Sequence, residues 1–120
     1  KTPEFEKYVD PVVELANALL LTIGRREPKQ WRIRPDGNDY VVEFLTDSGA
    51  KEHTRGPTKT FVSVVRRLAV MARLPVYGRG ESAVGKIYIR LPSGEAHRFD
   101  VFVSGHGDEV VLQGRVSNSD

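Results

Sequence analysis

Cysteine is absent from the 120 residues, and histidine, methionine and tryptophan are scarce, at three, one and one. Without cysteine there is no disulfide, no thiolate metal site and no thiol nucleophile, a composition compatible with a reducing compartment. His53, His97 and His106 each stand alone in the sequence, with no partner at metal-ligand spacing. No Gly-x-Ser-x-Gly turn offers a serine nucleophile. No apolar run approaches the roughly 18 residues that a membrane-spanning helix needs. Lys1-Thr2-Pro3-Glu4 carries no apolar signal region, so a soluble chain is expected. Nor does one sign of charge dominate: 18 basic against 16 acidic residues leave +2, a weak argument for a polyanionic partner. The chain opens without methionine and reads as a piece trimmed from something longer.

What is present suits one domain spanning 1–120, since 39% hydrophobic content over this length can bury one core. Asp10-Pro11 opens a helix, with Asp as the cap and Pro where no hydrogen bond is lost. Val12, Ala16, Leu19 and Ile23 then share a face, Gly24 supplies a stop, and Arg25 and Arg26 suit the carbonyl end. Trp31-Arg32-Ile33-Arg34 and Tyr40 to Phe44 alternate about Pro35-Asp36-Gly37-Asn38, which is a hairpin signal. Trp31, Ile33, Val42 and Phe44 are expected inward, with Arg32, Arg34 and Glu43 on the opposite face. Lys51 to Thr54 adds a short third strand.

A second helix runs from Pro57-Thr58 through Phe61, Val62, Val65, Leu68, Ala69 and Ala72 to a stop at Pro75. Lys86 to Leu91 and His97 to Val103 alternate as two more strands, with Ile87, Ile89, Phe99, Val101 and Val103 inward. Glu109 to Gln113 reads as the last strand, and residues 1–9 and 114–120 as loose ends. Hairpin-length links favour antiparallel pairing. The expected fold is therefore α+β, a two-layer sandwich of a mainly antiparallel five- to six-stranded sheet with both helices on one face. Asp100 and Glu109 lie on or beside strands in the last hairpin and could in principle form a carboxylate pair, but surface pairing with Arg98 or Arg90 accounts for them more simply.

Gly80-Glu81-Ser82-Ala83-Val84-Gly85-Lys86-Ile87 approaches the phosphate-cradling Gly-x-x-x-x-Gly-Lys-Ser/Thr loop. Ile87 has no hydroxyl for Mg²⁺, and a helix precedes the loop while a strand follows it, the reverse of the order a phosphate site needs. The octapeptide is read as a glycine-rich connection.

Several segments resemble the N-terminal domain that precedes the motor domain in type II secretion and type IV pilus assembly ATPases. Gln30-Trp31-Arg32-Ile33-Arg34-Pro35 stands where that family writes Asp-Ile-His-Ile-Glu-Pro. Arg67-Leu68-Ala69-Val70-Met71-Ala72-Arg73-Leu74 is similar to its Arg-Leu-Lys-Val-Met-Ala-Gly-Leu helix. Residues 75–86 match its Asp-Ile-Ala-Glu-Arg-Arg-Leu-Pro-Gln-Asp-Gly-Arg linker in length and keep Arg79 and Gly85, with Lys86 as the final basic residue. Asp100-Val101-Phe102-Val103-Ser104 and Asp108 to Gln113 resemble its last hairpin. The likeness covers about residues 10–113 in the family's order.

The resemblance implies a cytoplasmic domain that packs on a motor domain or a neighbouring subunit, in a hexameric ring in the full-length context, and sends arginines to the nucleotide. Phe102 replaces one such arginine, Gly80 another, and the loop at Gly105-His106-Gly107 is shortened. Arg79 and Lys86 remain as candidate phosphate contacts. The expectation is a non-catalytic, degenerate member with no cofactor of its own, ATP and Mg²⁺ being reached only through a motor domain. Phe102, by its alternation with Val101 and Val103, is expected on an exposed sheet face, with Tyr88 and Arg90 as further interface residues. The alternative is a single-stranded nucleic-acid-binding module using Arg32, Arg34, Lys86, Tyr88, Arg90, Arg98 and Phe102 on the helix-free face. A third reading makes Gly78 to Lys86 a small-ligand or nucleotide loop.

Overall fold

The computed structural model describes residues 10–74, 83–105 and 109–117. They form helix α1 (Pro11–Arg26), strands β1 (Gln30–Asp36), β2 (Asp39–Thr46) and β3 (Gly49–Pro57), helix α2 (Thr58–Met71), and strands β4 (Ala83–Arg90), β5 (Ala96–Ser104) and β6 (Val111–Val116). Every pairing is antiparallel, and the strand order is β3-β2-β1-β6-β5-β4. Both helices cover one face, giving the expected two-layer α+β architecture. Among the described residues no helix is long and apolar enough to cross a membrane.

Asp10 caps α1 as its sequence dictates, its carboxylate accepting from the Val12 amide at 2.9 Å. The helix does not stop at Gly24. It continues to Arg26, and Glu27 takes the left-handed conformation that closes it, its amide donating to the Ile23 carbonyl. Gly24 is buried inside the helix because the imidazole of His97 lies against it. Beside that contact Arg25 grips Glu95 with two hydrogen bonds, at 2.8 and 2.9 Å, and His97 Nε2 meets the same carboxylate at 2.7 Å. These bonds hold the Glu95 carboxyl at about 2, the Arg25 pair contributing most. The helix end is thereby clamped to the start of β5.

The inward set is as the alternation predicts. Trp31, Ile33, Val42, Ile87, Phe99, Val101 and Val103 are buried beneath the helices, with Phe61, Val62, Val65, Leu68 and Ala69 of α2 opposite them. Trp31 meets Phe99 edge to face, with ring centroids 6.3 Å apart. Its cross-strand partner is Gly114. A Cβ there would stand 2.4 Å from the indole ring, so only glycine lets the tryptophan lie over β6.

Other boundaries also differ from expectation. β3 is a nine-residue strand, longer than its mostly polar sequence suggests, because its backbone pairs with the whole of β2 while most of its side chains stay exposed. β6 begins at Val111 and runs on through Gly114, Arg115 and Val116, which the sequence had assigned to a loose end. Pairing of Arg115 with Asp100 and of Val116 with Phe99 holds them in the sheet. α2 ends at Met71, ahead of Pro75, with Arg73 in the left-handed region and the Leu74 amide donating to the Ala69 carbonyl.

Candidate docking face

The open face of the sheet carries the remaining chemistry. On its β1–β2 side, Glu43 lies directly across from Arg32 and diagonal to Arg34. Both guanidinium groups converge on its carboxylate, Arg34 through Nε and Nη2 at 2.9 Å each, Arg32 through Nε at 3.0 Å and Nη2 at 2.9 Å. The side chain of Glu43 is 10% exposed, so an unpaired charge there would be costly. With both arginines in place its carboxyl is held at about 2, the Arg34 hydrogen bonds outweighing the opposing effect of burial. The sequence brought these three residues to one face, and the structure joins them in one cluster.

On the β4–β5–β6 side, cross-strand pairs set Val84 beside Phe102, Lys86 beside Asp100 and Tyr88 beside Arg98, and β6 adds Gln113 beside Phe102 and Arg115 beside Asp100. Phe102 does point away from the core, at 37% exposure. Tyr88 is half exposed and Val84 is 74% exposed. Val84 and Phe102 make an apolar patch that no described helix covers, and the Lys86–Asp100 pair separates it from Tyr88. A shallow hollow of about 480 Å³ lies alongside, lined by Phe102, Val84, Lys86, Asp100, Gln113 and Arg115 among others.

Asp100 is the electrostatic centre of this region. It pairs with Lys86 at 2.6 Å and with Arg115 at 3.3 Å, where the sequence suggested Arg98 or Arg90. The register explains the difference, since Lys86 and Arg115 are its direct neighbours on the flanking strands while Arg98 and Arg90 sit further along. Lys86, chiefly, lowers the Asp100 carboxyl below its usual range. Arg98 instead lies over the Tyr88 ring, 5.1 Å from its centroid. Tyr88, Arg90, Phe102 and Lys86 thus share one face, whereas Arg79 lies outside the described residues.

Lys86 sits in the middle of β4, so the chain passes from Gly85-Lys86 into a strand, as the alternation predicts, and no helix starts there to present amides to a phosphate. Gly85 serves packing: a Cβ would lie 2.6 Å from the Ala72 carbonyl at the end of α2. Sequence reasoning missed Val84 and Arg115. The glycine-rich connection read at residues 80–87 hides Val84, although alternation extends back through Ala83-Val84-Gly85. Arg115 was lost with the end of β6. Among the described residues no group of three or more metal-ligating side chains occurs. Comparison with protein-family models gives no match, and comparison with curated proteins gives none.

Proposed function

We propose that the chain is a non-catalytic interaction domain of a type II secretion or type IV pilus ATPase-like protein, docking through the open face of β4, β5 and β6 onto a motor domain or a neighbouring subunit. The observation that carries this reading is the exposed Phe102–Val84 patch, with Tyr88 one outward position further along β4, on a sheet face that no described helix covers. Aromatic side chains at the centre of a surface, ringed by polar ones, are the usual anchors of protein interfaces. Phe102 occupies the position where the resemblance would place a phosphate-reaching arginine, so the site exchanges anion recognition for apolar contact. The Lys86–Asp100–Arg115 cluster borders the Phe102–Val84 patch on the side of Tyr88, and Arg90, which has no ion-pair partner among the described residues, lies beyond Tyr88 on the same face. The partner surface that fits is apolar at its centre and acidic where it meets Arg90.

The nucleic-acid reading draws on the same face. It is weakened by the engagement of Arg32 and Arg34 with Glu43, and of Lys86 and Arg115 with Asp100, which leaves few cations for phosphates.

The test is titration of the domain with its cognate motor domain by calorimetry, next to an anisotropy titration with single-stranded DNA and RNA at several salt concentrations. Saturable protein binding, weakened at least tenfold by Phe102→Ala, is expected. No association at high micromolar concentration overturns the proposal, and salt-sensitive nucleic-acid binding would replace it with the alternative.

A further inference from the structure

On the helix side of the sheet, where α1 ends, a second concave site is built from residues the docking face does not use. The ladder between β2 and β3 shifts register between Val42 and Glu43, so that β3 carries one additional residue there, His53. Its ring stacks on Phe44 with centroids 4.6 Å apart and planes 11° from parallel. Arg26, the last residue of α1, approaches the same aromatic ring, its Cζ 6.0 Å from the centroid. Lys51 is the direct cross-strand partner of Phe44 and therefore shares its face. These side chains, with Thr46, line a groove of about 590 Å³.

The charges in this groove are not balanced. Glu52, its one acidic lining residue, is held by Arg55 through hydrogen bonds of 2.9 and 2.7 Å, an arginine that also pairs with Asp36 and Asp39. Nearby Lys29 and Asp47 satisfy each other. Among the described residues neither Arg26, Lys51 nor His53 has a carboxylate partner. The carbonyl end of α1 offsets roughly half a charge, so among the lining residues Arg26 and Lys51 outweigh Glu52 by a small positive surplus. His53 registers this field: burial first, and then the Arg26 charge, push its imidazole below its ordinary value.

We propose that the groove binds a phosphate group, free or as a small monoester, between Arg26, Lys51 and His53. A guanidinium fork and an ammonium supply charge-assisted donors to the terminal oxygens, and the imidazole pressed against Phe44 supplies a third donor at the groove wall. Phosphate fits better than a carboxylate because its three terminal oxygens can accept from all three donors at once. The site lies on the other side of the sheet from Phe102 and stands independently of the docking proposal.

The experiment follows the His53 imidazole by NMR while the protein is titrated with inorganic phosphate, with adenosine monophosphate, and with chloride at matched ionic strength, His97 serving as internal reference. Saturable movement of the His53 signals and a rise in its apparent pKa with phosphate or the monoester are expected, and chloride should produce neither. Arg26→Ala and Lys51→Ala should each weaken binding about five- to tenfold with the rest of the spectrum unchanged, since both side chains are exposed. Equal affinity for the two ligands identifies the free anion as sufficient, and tighter monoester binding identifies an ester. A response that does not saturate, that chloride reproduces, or that survives both substitutions overturns the proposal.

Discussion

Gly24 of α1 lies so close to His97 of β5 that a methyl group on it would stand 2.5 Å from Cγ of the imidazole. Alanine replacing glycine inside a helix ordinarily stabilises it by about 1 kcal/mol. Here the sign reverses: Gly24→Ala should cost about 1–3 kcal/mol, because the ring it displaces is anchored on Glu95. Urea unfolding of the single variant and of Gly24→Ala/His97→Ala checks this. The double variant should unfold at a higher midpoint than Gly24→Ala in combination with an intact His97, and equal midpoints would show that the contact is not the cause.

Acid should weaken the fold through Glu43. Its folded carboxyl is held at about 2, below the ordinary value near 4.3, so the ionised form belongs to the folded state. The stabilisation is therefore complete above about pH 4.5 and is lost as pH falls towards 2. Glu95 acts in the same direction. Glu43→Gln should cost about 2–3 kcal/mol at neutral pH by leaving two arginines without their carboxylate, and should flatten the acid limb of a plot of stability against pH. An unchanged acid limb in the variant would assign the pH dependence elsewhere.

Phe102→Asp separates docking from folding. The ring is 37% exposed and faces away from the core, so thermal stability should change little, within about 1 kcal/mol. If the proposed docking holds, calorimetric binding to the motor domain should be lost. A large fall in melting temperature instead would mean that Phe102 holds the sheet and presents no surface to a partner.

Tyr40 is fully buried and its hydroxyl donates to the Val110 carbonyl at 2.8 Å, tying β2 to the residue before β6. Tyr40→Phe keeps the ring and removes that bond. A loss of about 1 kcal/mol in urea unfolding is expected.

Periodicity and turn chemistry made the central architecture legible. Trp31, Ile33, Val42, Ile87, Phe99 and Val101 fall inward where their alternation puts them, and Asp10-Pro11 starts α1 as capping chemistry requires. Phe102 was placed on the open face by the same alternation. What remained hidden depended on partners distant in sequence. Gly24 looked like a helix stop because its packing partner, His97, lies 73 positions on. The polar sequence of β3 hid a full-length edge strand whose support comes from the β2 backbone. The Lys86–Asp100–Arg115 cluster follows only from the register of three strands. The groove at Arg26, Lys51 and His53 needs a bulge that no local motif announces.

The position of β6 has a consequence for assembly. Among the described strands it alone touches both β1 and β5, so the last of them to leave a ribosome is also the one that joins the two halves of the sheet. Until Val111 to Val116 arrive, each half exposes an unpaired inner border, and Trp31 has no Gly114 to lie upon. A protein shortened ahead of Val111 should accordingly aggregate through those borders, and closure of the long loop between β1 and β6 should limit the speed of folding.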